Sequence, residues 1–293
     1  MGVSMGFWLE LAASGLITGG IYALVALGLN LQYGLMRIMN ISHGEFLMLG
    51  AYLTWLAHTV LGVNPLLSLP AVALALFVLG LVVYRLCFRA IARGAPSVEV
   101  IEARSLLIGF GLMYLVQNAA LMAWGADLRG YSFLTEVVEV GGARFAGNRL
   151  LAFGFAVAAS LALLALLRWT IVGKAVRAMM QSPTGAQLVG IDTAVLHPVV
   201  FGAGLALAGV AGGLLSMVYE ITPSMGEPYT VTALIVIVLG GLGSAAGCLA
   251  GGLLLGLVEA FGMHFTSPSL KMLLSYGVFI AVLLARPKGL FSR

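Results

Sequence analysis

Long stretches of apolar residues, broken only briefly by polar ones, dominate this sequence. A helix needs about 20 apolar residues to cross the roughly 30 Å hydrocarbon core of a bilayer. Eight runs approach or exceed that length, near residues 7–31, 41–62, 66–88, 105–124, 149–168, 195–219, 229–262 and 268–285. Only 9% of the 293 residues are charged, against about a quarter in soluble domains. The sequence therefore predicts an all-α polytopic membrane protein.

The seventh run, residues 229–262, is too long for one simple span. It is interrupted by several glycines, which are Gly240, Gly241, Gly243 and Gly247. We predict two short helices that meet at residues 240–244, as a broken or re-entrant pair. This gives about eight to nine transmembrane helices in a single transmembrane domain, residues 1–293.

Basic residues indicate the orientation, because Lys and Arg stay on the cytoplasmic side of a membrane. With nine passes, one side collects Arg37 and the basic residues of three segments, 85–104, 168–177 and 286–293. The opposite loops are mainly acidic. The sequence therefore predicts an external N-terminus, a cytoplasmic C-terminus, cytoplasmic loops at 89–104 and 169–194, and an external loop at 125–148.

None of these loops is large enough for a separate soluble domain, and the chain has no GxxxxGK[ST] phosphate loop. We therefore expect no cofactor and no catalysis on this chain. The net charge of +4 follows the predicted topology and implies no nucleic-acid partner. No metal site is predicted either, since His43 and Glu45 would point to different faces of a helix and no third ligand is evident.

The loop at 169–194 has the pattern of two short amphipathic helices. Ser182 and Pro183 suit the N-cap and first turn of the second helix, and Gly190 suits its end. Such a pair can present an apolar surface to a cytosolic partner. Alternatively, it can lie on the lipid headgroups as an interfacial linker.

A polar segment interrupts the first two apolar runs and contains Asn40, Ser42, His43, Gly44 and Glu45. Polar groups at membrane depth usually face a cavity or a partner. Paired discontinuous helices in the two halves of a transporter mark a substrate pathway, and the second break would contain Gly240, Gly241, Gly243 and Ser244. The alternative is a short cytoplasmic turn in which His43 hydrogen bonds to Glu45.

Two acidic residues, Glu10 and Glu259, lie in or near apolar runs. A carrier driven by an ion gradient would use such a carboxylate near the membrane midplane. The predicted topology instead places both near the external ends of their spans, as solvated or interfacial acids. A secondary amino-acid carrier is therefore the alternative function.

The cytoplasmic segment resembles the coupling loop of ABC importer permeases of the branched-chain amino acid group. The family pattern is matched at Gly173, Lys174, Ala175, Arg177, Ala178, Gln181, Pro183, Ala186, Leu188, Gly190 and Ile191. Ser182 and Thr184 stand where that family more often has acidic residues, which argues against salt bridges to the ATPase there. The polar segment 40–45 resembles the N-terminal family signature, residues 240–251 resemble the second, and residues 286–291 also match.

This resemblance implies a permease subunit of the bacterial inner membrane. Its partners would be a second, homologous permease, two cytosolic ATP-binding subunits that bind the ATP, an external substrate-binding protein and the lipid bilayer. The cargo would be leucine, isoleucine or valine, or related small amino acids and amides such as urea. The residues matched in 173–191 would couple to the ATPases, and the two polar breaks would line or gate the translocation pathway.

Overall fold

The computed structural model describes residues 5–92, 97–140, 143–286 and 289–291. Four residues of the predicted basic clusters and of the C-terminal family match lie outside the described residues. They are Arg93, Pro287, Lys288 and Arg293. Within the described part, seven helical segments are long and apolar enough to cross a membrane. The prediction of an all-α polytopic membrane protein is confirmed.

The long helices have these bounds: α1 Met5–Met36, α3 Pro65–Val83, α5 Val98–Trp124, α6 Gly147–Trp169, α9 Thr193–Ser216, α11 Ala245–Phe265 and α12 Lys271–Ala285. A π-helical turn at Tyr84–Phe88 continues α3 into the short helix α4, Arg89–Ala92, and a 3-10 turn at Pro268–Leu270 precedes α12. The shorter helices are α2 His43–Thr59, α7 Ile171–Gln181, α8 Pro183–Leu188 and α10 Gly226–Gly240. Seven long spans and the shorter apolar α10 come close to the predicted eight to nine.

The predicted external loop, 125–148, contains a β-hairpin that the sequence analysis did not anticipate. Strand β1, Val137–Val140, pairs antiparallel with β2, Ala143–Ala146. Valine-rich segments favour strands because β-branched side chains suit the pleated surface. The hairpin leads directly into α6.

Helix α1 lies at the centre of the bundle, with α6, α9, α10 and α11 packed around it. It approaches α11 closely because glycines face each other, Gly19 against Gly252 and Gly15 against Gly256. Small residues at such crossings allow the van der Waals packing that holds membrane helices together. The two helices run antiparallel, so Trp8 meets Phe261 and Phe265 at one end of the bundle.

Candidate functional site

The first helix break lies between α1 and α2. The backbone at Arg37 has a φ of +55°, which reverses the chain at the end of α1. The chain then returns along α1, where Asn40 Nδ2 donates to Gln32 Oε1 at 3.0 Å and His43 Nε2 contacts the Val25 carbonyl at 3.2 Å. A carbonyl oxygen only accepts, so Nε2 carries the proton. Because Val25 lies about 16 Å along the helix from Met36, α2 begins deep inside the bundle.

Neighbouring helices supply partners for the backbone of this break. The Met39 N–H donates to Ser105 Oγ of α5 at 3.0 Å, and the Gly44 N–H donates to Thr230 Oγ1 of α10 at 2.7 Å. Irregular backbone at membrane depth is tolerated only where protein or a cavity lines it. The alternative of a turn with a hydrogen bond from His43 to Glu45 is wrong, since His43 contacts Val25 and both side chains are fully buried.

Glu45 is the most unusual member of this segment. Its side chain is buried, and both carboxylate oxygens lack a hydrogen-bond partner among the described residues. Gly44 packs backbone to backbone on Gly226, so the N-termini of α2 and α10 abut. Glu45 and Glu227 lie in the first turns of these helices, where the helix dipoles stabilise negative charge. The junction therefore places two acidic side chains at abutting helix N-termini, and the buried one of them, Glu45, has no hydrogen-bond partner among the described residues.

The second break lies between α10 and α11, at the predicted position, but α11 is a long helix of 21 residues and not the short one predicted. Helix α10 ends at Gly240 and α11 begins at Ala245, with positive φ at Gly241 (+91°) and Gly243 (+83°). Ser244 caps α11 by accepting from the Gly247 N–H at 3.0 Å. The side-chain oxygen of Asn30 in α1 accepts from the Gly243 N–H at 2.9 Å.

Two amides of α1 therefore hold the two breaks. Asn30 binds the second break, and Gln32 binds Asn40 in the first while also donating to the Phe201 carbonyl of α9 at 3.2 Å. The sequence analysis missed both residues. The signal was present, because an Asn and a Gln two positions apart inside an apolar span need partners to be tolerated there.

Replacing Gln32 with Leu is expected to lower stability. The substitution leaves the Asn40 amide and the Phe201 carbonyl buried without this partner, at a cost of about 1–3 kcal/mol. The melting temperature of the purified protein in detergent should fall by several degrees. The control is Asn118→Leu, because Asn118 is exposed on α5 and, among the described residues, its side chain bonds only to the Tyr114 carbonyl of its own helix. Equal melting temperatures for the two variants would contradict the role given to Gln32.

The predicted pair of short helices at 169–194 is present. Thr170 caps α7 by accepting from the Gly173 N–H at 3.0 Å, and Ser182 caps α8 by accepting from the Gly185 N–H at 3.1 Å. Pro183 is the first residue of α8, and Gly190 follows its end with a φ of +88°. We call residues 171–191 the coupling segment, after the coupling loop that their sequence resembles.

The coupling segment has a buried side and an exposed side. Val176, Met179 and Ala186 face inward. Of the residues that match the family pattern, Gly173 and Ala186 are buried, Ala175, Ala178 and Ile191 are half-buried, and Lys174, Arg177, Gln181, Pro183, Leu188 and Gly190 are exposed. At the end of α8 the apolar side chains of Leu188 and Val189 are 84% and 77% exposed. The exposed side thus combines basic and polar groups with an apolar tip.

The coupling segment also touches the second break. A Cβ placed on Gly34 would lie 2.7 Å from Met180 Cε, and one placed on Gly243 would lie 3.0 Å from the same atom. The Met180 methyl group therefore packs directly on the backbone of both glycines. Through this contact, a movement of α7 would be transmitted directly to the end of α1 and to the α10–α11 break.

The expectation that Glu259 is a solvated or interfacial acid is wrong. Its side chain is 2% exposed and accepts hydrogen bonds from Tyr22 Oη at 2.8 Å and Ser275 Oγ at 2.5 Å. Lys271 Nζ lies 3.4 Å from Glu259 Oε2. The carboxylate is tolerated because an ammonium group and two hydroxyl donors compensate it. Glu10, in contrast, is exposed.

Comparison with known proteins identifies similar sequences over nearly the whole chain. Residues 11–283 match the family described as branched-chain amino acid transport system / permease component. The chain is 30% identical over 301 residues to the high-affinity branched-chain amino acid transport system permease protein BraD of Pseudomonas aeruginosa, covering 98% of this chain and 96% of that protein.

Further relatives come from other organisms. The chain is 29% identical over 302 residues to the LivH permease protein of Escherichia coli K12, covering 98% of this chain and 96% of that protein. It is 30% identical over 288 residues to a probable branched-chain amino acid transport permease protein LivH of Methanocaldococcus jannaschii, covering 94% and 90%. No solved structure matches the chain.

Proposed function

This chain belongs to the family of permease components of branched-chain amino acid transport systems, and we propose that it forms the translocation path of an ATP-driven importer. It is a transport subunit and not an enzyme. One observation supports the path above all others: neighbouring amides of one central helix bind both helix breaks, the first buried inside the bundle and the second partly exposed beside the coupling segment. Paired discontinuous helices are the usual site of substrate passage in transporters.

The proposed cargo is leucine, isoleucine or valine. The relatives are named for branched-chain amino acid transport, which supports this substrate class for the present chain. In the proposed path, the first break contributes Asn40, Ser42, His43, Gly44 and Glu45, and the second contributes Gly240, Gly241, Gly243 and Ser244. An ion-gradient-driven carrier is not favoured, because the relatives are named as components of a multi-part transport system.

The proposed partners are a second, homologous permease, two cytosolic ATP-binding subunits and an external substrate-binding protein. The exposed apolar tip formed by Leu188 and Val189 supports docking of an ATP-binding subunit. Few residues of α12 are buried, and apolar side chains such as Leu273 and Leu284 point outward. This surface suits contact with lipid or with the second permease. ATP would bind to the partner subunits and not to this chain.

The proposed mechanism is a two-state change of access. Closure of the ATP-binding subunits would move the coupling segment, and the Met180 contact would pass that movement to Gly34 and Gly243. Differential contacts of ATP-bound and ATP-free partners with this segment would shift the equilibrium between outward and inward access.

The chain is a multi-pass membrane protein. We propose that it resides in the inner (plasma) membrane with its N-terminus outside and its C-terminus in the cytoplasm, as the distribution of Lys and Arg indicates. A single transmembrane domain over residues 1–293 stays a prediction.

ATP hydrolysis by the assembled complex tests this proposal. The chain would be reconstituted in lipid nanodiscs with the second permease and the ATP-binding subunits of its own organism. Leucine-loaded binding protein is expected to raise the hydrolysis rate several-fold, and omission of this chain should remove the stimulation. Stimulation of equal size without this chain would contradict its role as the coupling permease.

A further inference from the structure

A cavity of about 510 Å³ lies between α10, α11 and α12, with Tyr22 of α1 on its wall. This volume falls within the range of roughly 300–1,000 Å³ that is typical of small-molecule sites. Its lining combines apolar side chains with three charged ones, Glu227, Glu259 and Lys271. The cavity therefore offers charges of both signs next to an apolar surface.

Lys271 supplies the positive charge. Both oxygens of Glu259 already accept hydrogen bonds, from Tyr22 and Ser275. An ammonium group has three donors, and the Lys271 side chain stays 43% exposed although its Nζ lies 3.4 Å from Glu259. Lys271 thus compensates the charge of Glu259, while the remaining donors of its ammonium group can bind another anion.

A second cavity of about 120 Å³ strengthens the positive character of this region. It shares Tyr22, Tyr229 and Lys271 with the larger cavity, and Arg149 lines it as well. Lys271 therefore lines both cavities, and the smaller one has Arg149 as a second basic residue on its wall.

Glu227 supplies the negative charge. It is exposed, lines the larger cavity, and forms no ion pair within the described part of the chain. It directly follows Gly226, which packs on Gly44 at the start of α2. The negative side of the cavity therefore borders the first helix break, which belongs to the proposed path.

We propose that this cavity is a binding site for a zwitterionic amino acid with an apolar side chain. Lys271 binds the carboxylate, Glu227 binds the ammonium group, and Met225, Ile235 and Met272 contact the apolar side chain. Glu259 acts as a positioning residue that holds Lys271 in place. The assignment rests on the proposed function and extends it, because it names the groups of this chain that recognise the substrate.

Photolabelling of the complete complex with a diazirine analogue of leucine tests the site. Adducts are expected within residues 225–235 or 271–276, and excess leucine should suppress them, whereas leucinamide, which lacks the carboxylate, should not. Lys271→Gln and Glu227→Gln should each reduce this labelling at least tenfold. Lys271→Arg keeps the charge and should retain most of it. Arg144→Gln is the matched control, since Arg144 pairs with Glu139 on the exposed β-hairpin.

Leucine uptake measured with the same preparations distinguishes a failure of the proposed binding site from a failure of the proposed function. If the wild-type complex takes up leucine but labelling lies elsewhere, or is unchanged in both glutamine variants, the site is overturned while the proposed function stands. If the wild-type complex takes up no leucine, the function itself fails. Glu227→Gln leaves the buried Glu259 contacts intact, so its result does not depend on a folding defect at Lys271.

Discussion

Replacing Leu188 and Val189 together with aspartate is expected to reduce ATP-driven leucine uptake by more than about tenfold, the loss that follows removal of an interface hot spot. These two side chains form the apolar tip of the coupling segment and make little contact within this chain. Their replacement exposes no core and should leave the fold intact. Uptake into proteoliposomes and co-purification of the ATP-binding subunits are the two measurements, and both should fall together.

The control for this pair is Leu128→Asp. Leu128 is also strongly exposed, at 63%, but it lies in the segment after α5, away from the coupling segment. Co-purification of the ATP-binding subunits should be unchanged in this variant. Wild-type co-purification by the Leu188/Val189 double variant would show that these subunits dock elsewhere.

Replacing Gly44 with Val is expected to have the largest effect on folding, at the first helix break of the proposed path. A Cβ at this position would overlap the Gly226 carbonyl oxygen and crowd Thr230 Oγ1, so α2 and α10 would have to separate. Overpacking typically costs about 1–3 kcal/mol and occasionally more, and here the opposing atom belongs to the backbone, which cannot rotate away as a side chain can. The amount of folded protein in detergent and the uptake should both be largely lost, with a smaller loss for Gly44→Ala.

Gly111→Val provides the comparison for Gly44. Gly111 lies within α5, and a Cβ added there would meet no atom of the described residues within 4 Å beyond the local backbone of its own helix. Its replacement also puts a β-branched residue into a helix, so it controls for the intrinsic propensity change. If Gly44→Val and Gly111→Val gave the same folded yield and uptake, the close contact between α2 and α10 would be wrong.

Local features of the sequence predicted much of the fold. Ser182, Pro183 and Gly190 predicted the second helix of the coupling segment because caps and turns depend on neighbouring residues. The glycines at 240–243 predicted the second break for the same reason. The family pattern of the coupling segment includes the exposed Lys174 and Leu188 as well as the inward-facing Gly173 and Ala186, and the sequence could not separate the two groups.

Contacts between distant residues could not be predicted in the same way. Asn30 meets Gly243 and Tyr22 meets Glu259 across more than 200 positions of the chain. Glu259 is tolerated in the interior because Tyr22, Lys271 and Ser275 reach it from two other helices. A one-dimensional pattern of charge and hydropathy assigned this acid to the surface because it contains no information about which helices meet.

The most direct test of the whole account is uptake of labelled leucine into proteoliposomes that contain this chain, the second permease, the ATP-binding subunits and the binding protein. We predict accumulation that requires ATP hydrolysis and persists when a protonophore collapses the proton gradient. Accumulation that ignores ATP and disappears with the protonophore would contradict the importer mechanism and establish an ion-driven carrier instead.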